Sequence, residues 1–250
     1  MNTKTRKAQE IANREELLLD IALELMAETG FAGLTMDKIT QRSQYSKGTV
    51  YNHFACKEDV LCALCCRSMR LQIELYQRIN DFAGSTREKM IAMAYGYRLF
   101  NRLYPTLSMV VLSMKTPNIM EKTSSIRSTS VSEHENKIVG IAVKLIEEAV
   151  ALGEIPASQN VDANAATFAA WSMAFGTNAL SSAVVNKSSK FCSAGFDSQY
   201  ALLYNVNLLC DGLNWKPLSN QQDYLATWQR IGQELYADEL AILEKNETLY

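Results

Sequence analysis

The segment from Ser46 to Phe54, SKGTVYNHF, carries hydroxyl, ammonium, phenol, amide and imidazole groups within nine residues. In a helix that begins at this point, the hydroxyls, the Lys47 ammonium and the first backbone N–H groups gather at the positive end. Such an end binds anions, phosphate above all, and lysine also donates to a guanine edge. Gly48 allows a close approach of the backbone to a groove surface. The residue types and their spacing therefore favour contact with a nucleic acid.

One turn further on, Tyr51, Asn52 and His53 supply three more groups that donate hydrogen bonds to phosphate oxygens. Val50 and Phe54 are four residues apart and so share the opposite face of a helix. We expect these two apolar side chains to face inward and to hold the helix on its scaffold.

The charge around this segment differs from that of the whole chain, whose formal net charge is −2. Between residues 36 and 57 there are four basic residues and one acid, a net charge of +3: Lys38, Arg42, Lys47 and Lys57 against Asp37. A basic arm formed by Lys4, Arg6 and Lys7 is expected to lie along or in a minor groove. The acids of the first helix must then face away.

The elements that position the segment follow from apolar spacing and cap residues. A helical face from Gln9 to Thr29 predicts a first helix, which Gly30 closes. Thr35 is a suitable N-cap for a second helix near Met36 to Ser43, and a third follows at Lys47 to His53. Two short helices joined by a tight turn, after a longer supporting helix, are typical of a helix-turn-helix motif.

The rest of the chain also reads as helical, since no window alternates with period two and only 4 prolines interrupt 250 residues. Further helices are predicted at Lys57 to Phe82, Thr86 to Leu103, Lys137 to Leu152, Asp162 to Val185, Ser198 to Leu213 and Gln221 to Leu243. Residues 121–132 are expected to be a mobile loop or a frayed helix start, and residues 188–195 a loop. We predict an all-α protein.

Bulk composition points to a cytoplasmic protein with no membrane partner. No stretch suits a signal peptide, and the most apolar region, 163–185, is interrupted by Thr, Ser, Gly and Asn. Six cysteines without a secretory signal indicate free thiols in a reducing compartment.

Neither a metal site nor an active site is predicted. Most of the clustered cysteines, Cys56, Cys62, Cys65 and Cys66, fall on one helix, which is poor geometry for tetrahedral zinc. Buried thiols are the simpler interpretation, with redox sensing as the alternative. The chain has no phosphate-cradling glycine loop, Gly-x-Ser-x-Gly elbow or His-Glu-x-x-His motif, so we predict no cofactor and no enzymatic activity.

The stretch from Thr35 to Asp59, TMDKITQRSQYSKGTVYNHFACKED, resembles the DNA-binding motif of the TetR family of bacterial transcriptional regulators. The resemblance covers about the first quarter of the chain. Gln44 stands where the family usually has glycine, which we expect to cost roughly 1 kcal/mol in a strained turn. Tyr45 stands where the family usually has a small aliphatic residue, and we expect it to add a phosphate contact or to alter the sequence read.

The resemblance implies a DNA-binding domain over residues 1–56, with its motif at about 35–54, and a helical ligand-binding and dimerisation domain over 57–250. Family positions for phosphate contacts match Thr35, Tyr51, His53 and Lys57. Family positions for base contacts match Lys47, Gly48 and Thr49. The chemistry of the side chains adds Tyr45, Ser46 and Asn52 to the predicted DNA-binding set.

Tight binding by one short helix requires a second copy of the chain, because a single copy makes few contacts. Small residues on the helix near 162–185, together with the helix near 198–213, resemble the family's intersubunit four-helix bundle. We predict a homodimer through these two helices. The alternative, an intramolecular core helix, stays open.

A pocket for an unknown apolar or aromatic effector is implied by the family. Methionines and aromatic residues suit an adaptable pocket, and the candidates are Met93, Tyr97, Tyr104, Met109, Met114, Trp171 and Phe175. Packing within a core is the plainer explanation for most of them.

The predicted function is a repressor that a small-molecule effector releases from palindromic double-stranded operator DNA. Two alternatives remain at this point: a DNA-binding regulator switched by thiol oxidation, and a helical enzyme or interaction module with no DNA role.

Overall fold

The structure, a computed structural model, describes residues 3–114, 119, 121–184 and 199–247. These residues form α-helices and two short 3-10 helices, and they contain no strand, so the predicted all-α class is confirmed. The helices are α1 Thr3–Gly33, α2 Met36–Arg42, α3 Lys47–His53, α4 Lys57–Gln77, α5 Thr86–Leu103, α6 Pro105–Met114, α7 Ser125–Ala151, α8 Ala163–Val184, α9 Ala201–Gly212, α10 Tyr224–Leu235 and α11 Ala237–Glu247. The 3-10 helices are Arg78–Asp81 and Ala157–Gln159.

The chain divides into two compact units. The first consists of Met1–Arg70 and Tyr104–Glu135, and the second of Leu71–Leu103 and Asn136–Tyr250. The residues of α4 and of α7 are shared between them. The predicted functional boundary at residue 56 stays a prediction.

In the first unit, α1 packs against α2 and α6, and α2 packs against α3. The buried side chains of this unit include Leu18, Ala22, Leu25, Leu34, Ile39, Val50, Phe54, Val60, Leu61 and Leu64. Gly30 has φ 70° and interrupts the helical backbone where the sequence predicts the end of the first helix, but α1 continues beyond it to Gly33. Only glycine adopts that region without strain.

The first helix begins earlier than predicted, at Thr3, so the basic arm is the first part of α1 and not an extended segment. Arg6 Nε lies 3.0 Å from Glu10 Oε1, one turn later on the same helix. Such pairs four residues apart support a helix, and nothing between residues 3 and 9 breaks it.

The second unit is organised around α5, which packs against α8, α9, α10 and α11. Ser85 and Glu88 form a reciprocal cap at its start, with Glu88 N donating to Ser85 Oγ and Ser85 N donating to Glu88 Oε2. Arg87 is fully buried, where it donates to Asp211 Oδ1 at 2.8 Å and to the carbonyl of Trp215 at 2.6 Å. A buried cation is tolerated because it is paired in this way.

The polar run over 121–132 is helical from Ser125 onward, in the first turns of α7, which agrees with the helix-start alternative and not with a loop. The single helix predicted over 221–243 is two helices, separated at Tyr236 with φ −136° and ψ 27°. The Tyr236 ring is buried, and its hydroxyl donates to the carbonyl of Leu75 at 2.9 Å. The predicted loop at 188–195 lies outside the described residues.

Within the described parts of the chain, no helix is long and apolar enough to cross a membrane.

Candidate nucleic-acid interface

The helix-turn-helix geometry begins with two hydroxyl caps. Thr35 Oγ1 accepts a hydrogen bond from Lys38 N at 3.2 Å and starts α2. Ser46 Oγ accepts one from Thr49 N at 3.3 Å and starts α3. Each cap satisfies an amide that the helix itself leaves without a partner. Ser46 therefore precedes the helix instead of forming its first turn.

The turn between α2 and α3 is not strained at Gln44, and the expected cost at that position is wrong. In the described chain, the non-glycine residues with positive φ are Asn160 and Asn214. Ser43 is extended, with φ −81° and ψ 156°, and its hydroxyl accepts a hydrogen bond from Tyr45 N at 3.3 Å. The turn therefore needs no glycine.

The inner face of α3 is apolar. Val50 and Phe54 are both fully buried, as predicted, and the N–H of Phe54 donates to the carbonyl of Val50 at 3.1 Å. Phe54 is also the C-cap of the helix. These contacts fix which side of α3 faces outward.

The outer face of α3 carries the predicted reading residues. The side chain of Lys47 is 65% exposed and Tyr51 is 40% exposed. Lys47 Nζ lies 5.6 Å from the centroid of the Tyr51 ring. Of the other predicted DNA-binding residues, Thr35, Ser46, Gly48 and Asn52 are exposed, and Tyr45, Thr49 and Lys57 are half-buried.

Two cations of this surface are paired with carboxylates. Lys47 Nζ donates to Asp37 Oδ1 at 2.8 Å, and this hydrogen bond raises the pKa of Lys47. The Arg42 guanidinium donates two hydrogen bonds to Glu28, at 2.6 and 2.9 Å. The expectation that all the acids of α1 face away from this surface is wrong for Glu28, which neutralises a cation of α2.

Two further cations are bound to backbone carbonyls. Lys38 Nζ donates to the carbonyl of Gly33 at 2.8 Å. Lys57 Nζ donates to the carbonyl of Phe31 at 2.9 Å, and it also lies 4.8 Å from the Phe31 ring centroid. Each of the four basic residues in the stretch therefore has a partner within the chain.

The side chains of His53 and Tyr45 lie next to residues of α1. The His53 side chain is 7% exposed, and its Nδ1 lies 3.6 Å from Glu15 Oε2. The Arg14 guanidinium lies 5.1 Å from the Tyr45 ring centroid. Sequence reasoning did not identify Arg14 and Glu15 as neighbours of the motif, because the pattern of α1 shows which residues are polar but not what they face.

The seven predicted pocket residues are divided between the two units. In the first unit, Met114 is buried, whereas Tyr104 and Met109 are exposed. In the second unit, Met93 and Tyr97 of α5 are half-buried, and burial raises the pKa of Tyr97 to about 12. Trp171 and Phe175 of α8 make an edge-on ring contact at 6.5 Å. A common pocket stays a prediction.

The cysteines give no support to a metal site. No group of three or more His, Cys, Asp or Glu side chains suited to a metal occurs in the part of the chain that is described. Cys62 is fully buried, with its thiol 3.2 Å from Thr123 Oγ1. Burial raises the pKa of the Cys56 and Cys62 thiols, which keeps them protonated and poorly reactive near neutral pH.

An exposed apolar surface is present on α8 and α9, the two helices predicted to form a dimer interface. These helices pack on each other, and Asn205 Nδ2 donates to Thr177 Oγ1 at 2.7 Å between them. Their most exposed large apolar side chains are Phe168 (67%), Leu180 (67%), Tyr204 (62%) and Leu208 (53%).

The N-terminal part of the chain matches a known family. Residues 18–64 match the family described as bacterial regulatory proteins, tetR family. The match runs from α1 into α4 and includes both helices of the motif. No curated protein matches the chain.

Solved structures share the helical fold. PfmR, a TetR family transcriptional regulator from Thermus thermophilus, matches with a TM-score of 0.57 at 16% identity, over 77% of this chain and 96% of that one. A TetR/AcrR family regulator from Thermobifida fusca gives 0.55 at 21%, over 80% and 98%. FadR from Bacillus subtilis, solved in complex with stearoyl-CoA, gives 0.58 at 22%, over 78% and 97%.

Proposed function

We propose that this chain is a TetR-family DNA-binding transcriptional regulator, and that it acts as a dimeric repressor which a small-molecule effector releases from a palindromic operator. Regulators of this family are non-enzymatic DNA-binding proteins, and the match of residues 18–64 therefore argues against the alternatives of an enzyme and of a module with no DNA role. Its place of action would be the bacterial cytoplasm, where the DNA lies.

The observation that carries the proposal is the two-sided character of α3. Val50 and Phe54 anchor one face in the core, while Lys47 and Tyr51 stand exposed on the other. A helix held in this way can enter a major groove without losing its attachment to the protein.

We assign contacts along α3 by position. Lys47, Gly48 and Thr49 of the first turn would contact base edges, since this end enters a groove first. The residues assigned to phosphate contacts are Thr35, Tyr45, Ser46, Tyr51, Asn52, His53 and Lys57. His53 must turn away from Glu15 to make such a contact, because its side chain is 7% exposed.

A homodimer would bring two copies of α3 to half-sites roughly 34–36 Å apart, or a larger whole number of turns. The exposed apolar side chains of α8 and α9 support these helices as the dimer surface, because large apolar patches on a protein usually mark an interface.

The effector would be an apolar or aromatic small molecule. The candidate residues are rich in methionine and aromatic rings, and FadR, one of the structural relatives, was solved with stearoyl-CoA. Effector binding would favour a conformer in which the two copies of α3 no longer match the operator spacing. An effector that binds the favoured conformer about 5.5 kcal/mol more tightly than the other is enough to invert a 99:1 population.

The test is selection of bound duplexes from a random library, followed by effector screening against the recovered site. We expect the selection to enrich a palindrome that binds the dimer. We expect the screen to find a compound that lowers the affinity of the dimer for that palindrome. Selection with Lys47→Ala as a matched control should enrich the same site more weakly, with a relaxed preference at the base that Lys47 contacts. Failure of the unaltered protein to enrich any sequence would contradict the proposal. Binding that no apolar or aromatic compound weakens would contradict its effector-release part.

A further inference from the structure

The guanidinium of Arg127, in the first turn of α7, contacts the C-terminal end of α3 and a carboxylate of α1. Its Nη1 donates to Glu15 Oε1 at 2.7 Å, and its Nη2 donates to the carbonyl of His53 at 3.4 Å. Its carbon Cζ lies 5.2 Å from the centroid of the Phe54 ring, within the range of a cation–π contact. All of these residues belong to the first unit.

Glu15 of α1 is shared between Arg127 and α3. One carboxylate oxygen binds Arg127, and the other lies 3.6 Å from His53 Nδ1. Burial alone would raise the pKa of Glu15, but hydrogen bonds and charge from Arg127 and His53 together hold it below its ordinary value. The carboxylate therefore stays ionised between the Arg127 guanidinium and the His53 ring.

A second carboxylate ties the same two segments together. Asp59 is 4% exposed; its Oδ2 accepts a hydrogen bond from Ala55 N at 3.1 Å, and its Oδ1 accepts one from Ser124 N at 3.0 Å. Ala55 follows α3, and Ser124 precedes α7. The buried side chain of Asp59 thus holds both the residue just after α3 and the residue just before α7.

A helix as short as α3 takes its orientation from what holds its ends, because two turns have little helical stability of their own. Ser46 holds the N-terminal end. At the C-terminal end, loss of Arg127 would leave Glu15 part-buried without its guanidinium and would remove a donor from the His53 carbonyl. A small change in the angle of α3 would then move Lys47.

We propose that Arg127 is a positioning residue for DNA recognition, which sets the angle of α3 through Glu15 and His53 without touching DNA. The inference rests on the proposed function. It assigns a role to a residue outside the helix-turn-helix motif, and it predicts that sequence discrimination and general DNA affinity respond differently to the same substitution.

The experiment compares Arg127→Met, Arg127→Lys and a matched control, Arg70→Met, in the full-length chain. Arg70 donates to Glu16 Oε1 at 2.9 Å, so the control removes another arginine–glutamate pair between α1 and a later helix, with no contact to α3. Affinity is measured for the selected operator and for a scrambled duplex over a range of salt concentrations. Hydrogen exchange of peptides covering residues 47–56 reports on α3 directly, with peptides covering 201–212 as the reference.

For Arg127→Met we expect operator affinity to fall about tenfold or more, since a misaligned helix loses base contacts. Affinity for the scrambled duplex and its salt slope should stay within about twofold, because no phosphate contact is removed. Exchange should rise over 47–56 and not over 201–212. The operator affinity and exchange of Arg127→Lys should lie between those of Arg127→Met and those of the unaltered protein. Arg70→Met should behave as the unaltered protein does.

Equal losses on both duplexes with a shallower salt slope would mean that Arg127 binds phosphate itself, and this would overturn the inference. Unchanged operator affinity or unchanged exchange over 47–56 would also overturn it. If the unaltered protein binds no duplex, the proposed function fails, and the exchange measurement still decides whether Arg127 holds α3. If Arg127→Met does not fold, Glu15→Gln tests the same connection and should give the same pattern.

Discussion

Lys47 Nζ lies 2.8 Å from Asp37 Oδ1, so the cation at the tip of the recognition helix is paired with an acid of the preceding helix. Both side chains are about two-thirds exposed. The pair orients Lys47 in the absence of DNA, and it also places a negative charge beside the surface that must approach phosphate.

Asp37→Asn should therefore increase affinity for scrambled duplex several-fold and reduce discrimination between operator and scrambled DNA, since repulsion falls and Lys47 loses its orientation. The ratio of the two dissociation constants is the measurement. Asp20→Asn removes the same charge from α1, beside Arg67, and should leave the ratio unchanged. Greater discrimination in Asp37→Asn than in the unaltered protein would contradict the expectation.

Lys47→Ala should lower operator affinity by about 10-fold to 100-fold, with a smaller loss on scrambled duplex, if the lysine contacts a base. Competition binding with the two duplexes measures both quantities. Lys89→Ala removes the same charge from α5 in the second unit and serves as the control. Equal losses on both duplexes would show that Lys47 contacts phosphate alone.

Stability should depend on the ionisation of Glu15. Its pKa in the folded protein is below the ordinary 4.5, so the stabilisation is present above pH 4.5 and is lost as the pH falls through the folded-state pKa. In Glu15→Gln the free energy of unfolding should fall less steeply below pH 4.5 than in the unaltered protein. Urea unfolding followed by circular dichroism measures the slopes, and identical slopes would exclude the effect. Arg127→Met should flatten the dependence too.

Gly232→Ala should destabilise the second unit by about 1–3 kcal/mol, because the added methyl group would meet the hydroxyl of Tyr95. Tyr95 has little room to move, since its ring is stacked on Tyr236 at 5.6 Å and contacts Trp228 at 4.7 Å. Thermal unfolding followed by tryptophan fluorescence measures the change.

Gly140→Ala is the matched control for that substitution. Nothing lies within 4 Å of a methyl group at this exposed position in α7, so the change should stabilise the protein by about 0.5–1 kcal/mol through helix propensity. If both variants were equally stable, the steric explanation for Gly232 would fail.

The proposed dimer surface is tested by Phe168→Ser and Leu180→Ser together. Both side chains are 67% exposed on α8, and their loss from an interface should weaken dimerisation at least about tenfold in analytical ultracentrifugation. Ile126→Ser, which changes an 81% exposed side chain in the first unit, is the control. An unchanged dimer in the double variant would place the interface elsewhere.

The parts of the site that were predictable from sequence depend on local signals. Thr35 and Ser46 cap helices through residues three positions later, so a short window of sequence is enough to identify them. The Arg127–Glu15 pair joins residues 112 positions apart, and no local pattern indicates which acid a given arginine will meet. The residue at the break, Tyr236, is neither glycine nor proline, and its ring is fully buried, a tertiary contact that no local pattern indicates.

The four basic residues around the motif already have partners within the chain, so DNA must replace those partners in order to bind them. Wherever a phosphate takes the place of Asp37 or Glu28, the cation exchanges one anion for another, so the loss of the carboxylate offsets part of its attraction to the phosphate. What these cations contribute to DNA affinity is then the difference in free energy between pairing with a carboxylate and pairing with a phosphate. Variation at these two acids is therefore expected to change the strength of DNA binding while every group that faces the groove stays the same.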